Sequence, residues 1–316
     1  MRGISLVAVL GCAAVLCVAA CSRGDGEGTL SKPSEKVVRQ ARGAGRWFPG
    51  GRAELDQMVR GFIDNASAPA VTGRIVAAIA PHAGYIYSGK VAGHTFRALR
   101  EKAGAGHAPE TVVVLGFSHS GGFRGVALMD GDAIETPLGE TPLDKEAAAA
   151  LAQASPLIRM AYAPHAGEHS AENQIPFAQA ALPDAKLVVG LIGDHEEPTL
   201  SALVTALGQL AKRKKIVVVA STDLLHDADY TLVTKTDRKT MEQIGALDWK
   251  GLLGRWGYGS QVCCGIGPVV AALRFAESQG CRQGAVLYYR NSGDDYPESR
   301  GNWVVGYGSA VFAVGP

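Results

Sequence analysis

Three histidines stand shortly after apolar segments of this sequence, where their side chains could bind a transition metal. His82 follows "RIVAAIAP", His119 follows "TVVVLGFS", and His226 follows "KIVVVASTDLL". Imidazole nitrogen is a common metal ligand, and two imidazoles with one further donor can hold an ion that keeps open coordination positions. A single histidine at such a place more often caps a helix or makes a hydrogen bond, so the hypothesis requires that these histidines come together.

The segments before these histidines predict a sheet that would bring them to one edge. Apolar, β-branched runs typical of buried strands cover residues 74–80, 111–116, 186–193, 215–221, 285–290 and 302–314. Alanine- and leucine-rich stretches with helical spacing lie between them, and this alternation predicts an α/β fold. The carboxyl ends of strands in such a sheet open into a crevice where ligands collect. The residues expected at this rim are His82, His119, His195, Asp223 and His226.

Residues 125–140 differ from this alternation of long strands and helices. The stretch "DGDA" lies there between two short segments that alternate apolar and polar residues. Asp-Gly is a common turn between antiparallel strands, so we expect a hairpin whose turn is at residues 130–133.

Composition and charge narrow the classes of partner. The chain has 316 residues, of which 47% are apolar, so it can bury the core of one large domain or two small ones. Lys plus Arg number 31 and Asp plus Glu number 30, so no basic stripe or acidic tail favours nucleic acid. We expect the ligand to be a small molecule or a peptide.

The first residues have the pattern of an exported protein. Residues 1–20 combine an early arginine with a short apolar run, which predicts a signal peptide. The "VAAC" that ends at Cys21 resembles the lipobox of bacterial lipoproteins, which implies acylation of that cysteine, with a plain secretory signal as the alternative. Residues 21–45, rich in Gly, Ser and charge, are expected to be a flexible tether. We therefore expect a bacterial cell-envelope protein, periplasmic or on the outer surface, that contacts a membrane through its lipid anchor only.

Several blocks of the sequence resemble the Memo family, called AmmeMemoRadiSam system protein B in bacteria. The matching blocks are "APHAGYIYSG", "VLGFSHS", "EHSAENQIPF", "STDLLHDADY" and "CCGIGPV". The resemblance implies that residues 46–316 form one α/β domain of three layers, with a mainly parallel central sheet flanked by helices, similar to class III extradiol dioxygenases. It also implies one iron or copper ion held by two histidines and a cysteine, and association with radical-SAM and AMMECR-type proteins.

Carried over to this sequence, the resemblance makes His82, His119 and Cys264 the metal ligands. His226 falls where the dioxygenases keep an acid/base histidine, and Asp223 would orient a ligand or that base. The dioxygenases use glutamate as third ligand, so Cys264 is a departure that shifts the preference toward copper(I) or makes iron binding sensitive to oxidation. The resemblance implies either an oxidoreductase with dioxygenase-like chemistry or a protein that binds metal or peptide without turnover.

Residues near these positions are expected to contact a substrate. They are Tyr85, Ser118, His169 and Glu172. Tyr85 belongs to the same block as His82 and offers a hydroxyl, while His169 and Glu172 share one face at a predicted helix start. The remaining histidines are expected to be structural, and His165 to be a surface or capping residue.

Three cysteines follow the predicted lipidation site, namely Cys263, Cys264 and Cys281. An exported compartment favours disulfides, but a bridge between the adjacent Cys263 and Cys264 would be strained and would remove the ligand that the resemblance assigns. A bridge from Cys263 to Cys281 leaves one thiolate for a metal and is the pairing that we prefer.

Overall fold

The computed structural model describes residues 35–67 and 69–315. The predicted signal peptide, Cys21 and most of the predicted tether lie outside the described residues. The strands are β1 (Val38–Gln40), β2 (Arg74–Ala80), β3 (Thr111–Phe117), β4 (Val126–Leu128), β5 (Ala133–Thr136), β6 (Gly139–Pro142), β7 (Ile158–Met160), β8 (Lys186–Ile192), β9 (Ile216–Ser221), β10 (His226–Asp227), β11 (Gly284–Asn291) and β12 (Val304–Val314). The α-helices are α1 (Arg52–Asp64), α2 (Tyr85–Lys102), α3 (Lys145–Ala154), α4 (Ile175–Ala181), α5 (Glu197–Ala211), α6 (Tyr230–Gly245), α7 (Trp249–Arg255), α8 (Ile266–Ser278) and α9 (Ser292–Asp295).

Four parallel strands form the middle of the large sheet, in the order β2, β9, β3 and β8. They are buried on both faces, as their continuous apolar sequences predict. In β3, Val112 and Val114 pack toward α1, α2 and α4, whereas Val113 and Leu115 pack toward α3, α5 and α8. The predicted α/β fold, with a central sheet between two helical layers, is confirmed.

The outer strands make the sheet mixed rather than parallel throughout. β12 is antiparallel to β2, β10 and β11, and β4 is antiparallel to β8. The parallel part is therefore the centre, whose carboxyl ends carry the predicted site. In the part of the chain that the structure describes, no helix is both long enough and apolar enough to cross a membrane.

The prediction of a hairpin turn at residues 130–133 is wrong. β4 lies before this turn and joins the large sheet beside β8, so the two strands that flank "DGDA" do not pair. The hairpin of this region is formed instead by β5 and β6, whose register closes at Thr136 opposite Gly139. Gly139 has a φ of 118°, which L residues rarely adopt and which glycine permits.

The predicted tether ends earlier than residue 45. β1 pairs in parallel with β5, and the Ala41 N–H donates to the Glu135 carbonyl oxygen at 2.8 Å. The compact unit of the chain accordingly begins at Lys36. These contacts use backbone groups, so the Gly-, Ser- and charge-rich composition of the segment gave no sign of them.

Candidate metal centre

His82, His119 and Cys264 converge at the carboxyl ends of the central strands. Their ligand atoms all lie within 4.8 Å of one another, and Cys264 Sγ is 3.5 Å from His82 Nε2. The first two residues follow β2 and β3, which are both neighbours of β9 in the sheet, while Cys264 precedes α8. Three separate segments therefore bring two imidazoles and a thiol to one point.

Asp223 fixes the backbone that leaves β2. Its Oδ1 accepts the N–H of His82 at 2.8 Å and the N–H of Ala83 at 3.2 Å. Burial raises the pKa of Asp223, although these two N–H donors and the nearby His226 oppose that effect. Asp223 thus acts on the candidate centre by holding the peptide that carries His82.

The tautomer of His82 is set by Ser221, the last residue of β9. Ser221 Oγ donates its proton to the Ser170 carbonyl oxygen and accepts a hydrogen bond from Gln174 Nε2 at 2.8 Å. Because that hydroxyl has no second proton, His82 Nδ1, at 3.1 Å, must be the donor. His82 Nε2 then presents its lone pair toward Cys264, as a metal ligand requires.

Glu168 orients His119 through both of its carboxylate oxygens. Oε2 accepts the His119 backbone N–H at 2.6 Å, and Oε1 lies 2.9 Å from His119 Nδ1. Burial raises the pKa of Glu168, but its hydrogen bonds with His119 and with the Ser170 N–H outweigh burial and lower it to about 2. The carboxylate is therefore ionised, and His119 Nε2 is left available for an ion.

Cys264 lies against the turn that follows β9. The Asp223 N–H points at Cys264 Sγ from 3.2 Å, and Thr222 Oγ1 accepts the Gly265 N–H at 2.9 Å. A Cβ on Gly265 would come within 2.6 Å of the Ser221 carbonyl oxygen, so only glycine allows this close approach. Burial, followed by the charge of Asp223, raises the pKa of the Cys264 thiol well above its usual range. Binding of a metal must therefore release this proton.

The chemistry of the three donors fits a transition metal. Burial and the neighbouring His119 lower the pKa of His82 to about 3, so this ring is neutral at pH 7. Two imidazoles and one thiolate are nitrogen and sulfur ligands, which such metals prefer over the oxygen ligands of calcium or magnesium. Three protein ligands also leave positions on the ion open to another molecule.

His226 contributes an unpaired nitrogen to the same region. Its Nε2 is buried and has no hydrogen-bond partner within the described residues. Burial lowers the pKa of His226, while the nearby Asp223 raises it in part. A buried imidazole that is neutral and lacks a partner can accept a proton from a bound molecule.

His169 belongs to a stack of three aromatic rings. It lies parallel to Trp47, with ring centroids 4.0 Å apart, and stacks on His119 at 4.5 Å. Burial, and then the charges of His82 and His119, lower the pKa of His169 to about 4. Ligand atoms of His119, Glu168 and His169 also lie within 4.8 Å of one another, although Glu168 is already committed to His119.

A cavity of about 980 Å³ opens beside the candidate centre. Its inner wall includes His82, His119, His169 and His226, and aromatic side chains form much of the rest. The aromatic residues are Trp47, Phe48, Tyr85, Tyr87, Tyr296, Trp303 and Tyr307. A cavity of this size and character can hold an organic ligand next to the ion.

The predicted substrate contacts occupy different places around this cavity. His169 lines it. Tyr85 also borders it, but its hydroxyl donates to the Asn173 carbonyl oxygen at 2.7 Å, so only its ring is free for contact. Ser118 instead lines a second, smaller cavity of about 360 Å³.

Glu172 does not line the large cavity. Its Oε1 accepts the Gly43 N–H at 2.5 Å, and only 4% of the residue is exposed. Burial raises the pKa of Glu172, although the N–H groups of Arg42 and Gly43 oppose this. Glu172 therefore holds the N-terminal segment that carries Trp47, and its contact with a substrate stays a prediction.

Two further expectations are corrected by the structure. His165 is buried rather than at the surface, with its Nε2 3.0 Å from the Ala127 carbonyl oxygen. In the described part of the chain the three cysteines are all free, so the preferred Cys263–Cys281 bridge is absent. The Cys281 thiol donates to the Gln283 carbonyl oxygen at 3.3 Å instead.

Sequence reasoning missed the two residues that orient the ligands. The sequence predicts no role for Glu168, which lies in the "EHSAENQIPF" block, or for Ser221, which lies in the "STDLLHDADY" block. Their residue types could have indicated this role, because a metal-binding histidine usually donates its second N–H to a carboxylate or another acceptor. Which acceptor serves which histidine depends on the path of the loop 166–171, which sequence alone did not specify.

The fold and these donors define an α/β protein with a candidate mononuclear metal centre at the carboxyl edge of its sheet. Comparison with known proteins agrees: a family model described as "Memo-like protein" matches residues 39–311. A MEMO1 family protein of Methanopyrus kandleri is 34% identical over 285 residues, which cover 86% of this chain and 98% of the relative. A MEMO1 family protein of Nitrosopumilus maritimus is 30% identical over 281 residues, which cover 87% of this chain and 100% of the relative.

The chain therefore belongs to the Memo family, as its sequence blocks indicated. Among solved structures, an uncharacterized protein of Escherichia coli K12 matches with 15% identity and a TM-score of 0.47, covering 74% of this chain and 99% of the other.

Proposed function

We propose that this protein holds one iron or copper ion on His82, His119 and Cys264 and acts as an oxidoreductase on a small molecule bound in the large cavity. The observation that carries this proposal is the convergence of three ligand atoms within 4.8 Å, with both imidazoles oriented by their second nitrogen. When bound, the ion would supply Lewis-acid and one-electron chemistry. Donor softness favours copper(I) or a redox-sensitive iron.

The residues of the chain have separate roles in this proposal. His226 Nε2, buried and without a partner in the described residues, accepts a proton from a substrate hydroxyl. Trp47 and Tyr307, which line the large cavity, pack against an organic substrate and exclude water. Glu168 and Ser221 keep the two imidazoles in the tautomers that a metal needs.

Metal analysis of purified variants tests the proposal. We expect about one ion per chain in the wild-type protein, almost none in His82→Ala or Cys264→Ala, and full metal content in His226→Ala. Oxygen uptake with catechol-like compounds then separates turnover from binding, and His226→Ala should lose any activity while keeping its ion. A wild-type protein that binds neither iron nor copper would refute the proposed centre.

A second function, binding without turnover, is favoured by one observation. The extradiol dioxygenases that the family resembles have a carboxylate where this chain has Cys264, and the adjoining cavity of about 980 Å³ is large enough for part of a peptide. In this alternative the protein carries a metal ion or captures a peptide. Stoichiometric metal with no substrate consumed under any condition tested would support it.

We further propose that the protein works in the bacterial cell envelope, attached through a lipid on Cys21. The support is the sequence "VAAC" that precedes the described residues. Mass spectrometry of the membrane fraction tests this, because a lipidated protein starts at an acylated Cys21. Association with radical-SAM and AMMECR-type proteins is proposed on the family resemblance, and co-purification from the native cell tests it.

A further inference from the structure

Cys264 faces a different part of the molecule from the large cavity. The large cavity is lined by His82 but not by Cys264. Cys264 instead lines two smaller cavities, of about 360 Å³ and about 300 Å³. His226 borders all three, and His119 borders the large cavity and the larger of the two small ones. The candidate centre therefore lies between two openings.

Aromatic side chains stand at the second opening. Tyr258 lines both small cavities, and 85% of it is exposed, so it is at their outer rim. Its ring packs edge-on against Trp256 at 5.0 Å, and Trp256 in turn packs against His195 at 4.4 Å. Trp256 is held in place because its Nε1–H donates to the Cys263 carbonyl oxygen at 2.9 Å.

The charge of this opening suits a cation. Asp194 lines one small cavity and Asp227 the other, and the described residues that line them include no Lys or Arg. The large cavity also has acidic residues, namely Glu54, Asp223 and Glu298, but it carries the cationic Arg46 as well. A cleft lined by one sign of charge raises the local concentration of the opposite ion.

We propose that the two small cavities form a separate entrance through which the metal ion reaches Cys264, with Tyr258 restricting its mouth. This inference rests on the proposed metal centre. A hydrated divalent cation fits a space of this size, since each water occupies about 30 Å³. Loading and loss of the ion then proceed on the thiol side, even when an organic ligand fills the large cavity.

Two exposed tyrosines make a matched pair for the test. Tyr258 packs edge-on against Trp256 at the small cavities, and Tyr87 packs edge-on against Tyr296 at 5.1 Å beside the large cavity. Both tyrosines are exposed, so neither Tyr258→Ala nor Tyr87→Ala removes core packing. Gln261 is also exposed and lines both small cavities. Gln261→Trp therefore narrows their mouth, whereas Tyr258→Ala widens it.

The experiment measures two rates on the full-length protein freed of metal. The first is alkylation by iodoacetamide at Cys264, assigned by peptide mass spectrometry, because Cys263 and Cys281 are buried. The second is binding of Co²⁺, followed by the visible absorption of its thiolate complex. We expect both rates to rise by about tenfold in Tyr258→Ala, within the range that on-rates span among variants of one site. Both should fall in Gln261→Trp and stay unchanged in Tyr87→Ala.

Other outcomes overturn the proposal. Faster alkylation and Co²⁺ binding in Tyr87→Ala alone would place the entrance at the large cavity. Equal rates in wild type, Tyr258→Ala and Gln261→Trp would show that Tyr258 restricts nothing. If Co²⁺ binds to no variant while alkylation follows the expected order, the proposed metal centre fails, and the small cavities admit small molecules to Cys264 but no metal ion.

Discussion

Glu168 binds His119 at two points, because one carboxylate oxygen accepts the backbone N–H at 2.6 Å and the other lies 2.9 Å from the ring Nδ1. A single side chain thus fixes both the position and the rotation of the imidazole. The carboxylate is almost fully buried, with 3% of its side chain exposed, so water cannot replace it. The geometry at His119 consequently depends on Glu168 as much as on β3.

The first prediction concerns this carboxylate. The Glu168 carboxylate accepts four N–H groups, two from His119 and one each from His169 and Ser170. Glu168→Gln leaves one acceptor oxygen for them, so His119 loses its orientation. We expect metal affinity to fall by about 10- to 100-fold, as is typical when a group that orients a ligand is removed. Competition with a chelator measures the change. The exposed Glu242→Gln is the control, and an equal loss in both variants would contradict the role of Glu168.

The second prediction concerns the tautomer of His82. In Ser221→Ala the ring no longer has a fixed acceptor at Nδ1, and we expect a loss of metal affinity of about tenfold. Ser309→Ala is the matched control, because Ser309 is also a buried serine in a strand of the sheet and its Oγ has no partner in the described residues. Chelator competition should leave Ser309→Ala unchanged. Similar affinities for the two variants would contradict the argument.

The third prediction concerns the N-terminal segment. Glu172→Ala leaves the buried Gly43 N–H without its acceptor, and such a loss costs about 1–3 kcal/mol. We expect residues 41–48 to exchange their amide hydrogens faster, while the strands of the central sheet keep their protection. Hydrogen exchange with mass spectrometry measures this. Unchanged exchange of the segment would show that Glu172 does not hold it.

The fourth prediction concerns pH and Asp237, a fully buried residue of α6. Burial raises the pKa of Asp237 from 3.8 to about 7, although hydrogen bonds from the Leu225 amide and the Tyr289 hydroxyl oppose this. The folded protein then holds a proton that the unfolded chain has released. Stability from the protonated group is complete below about pH 4 and is lost as pH rises through about 7.

Unfolding in urea at several pH values tests this. We expect the free energy of unfolding of the wild type to fall between pH 4 and pH 8, by up to about 4 kcal/mol. Asp237→Asn stays neutral and should show a much smaller fall over the same range. Parallel curves for the two proteins would mean that Asp237 titrates normally.

The sequence predicted the centre of the fold well and the edges less well. Runs such as "TVVVLG" are buried on both faces, so pattern alone identifies them as central strands. Their parallel carboxyl ends place His82 and His119 at the same edge of the sheet, and the strand order β2, β9, β3 then brings them together. The prediction of a hairpin turn at "DGDA" is wrong because β4 and β5 pair with other strands, and local sequence does not specify a distant partner.

The sequence predicted the three candidate metal ligands. It did not predict the residues that orient the two histidines. The resemblance assigned Cys264 through a specific block, and the structure places its sulfur 3.5 Å from His82 Nε2. Glu168 and Glu172 lie four residues apart, but their carboxylates have different partners. One binds His119 and the other binds Gly43, and no spacing rule separates them.

Strand β12 has a consequence for how the protein is made. Its first residues pair with β10, and the Gly306 backbone exchanges hydrogen bonds with Leu224 and Leu225, next to His226. Its last residues pair with β2, the strand that leads to His82. A growing chain on the ribosome lacks this strand until the rest of the sheet has been synthesised. An ion at the proposed centre would therefore have to enter after translation, when the domain is finished.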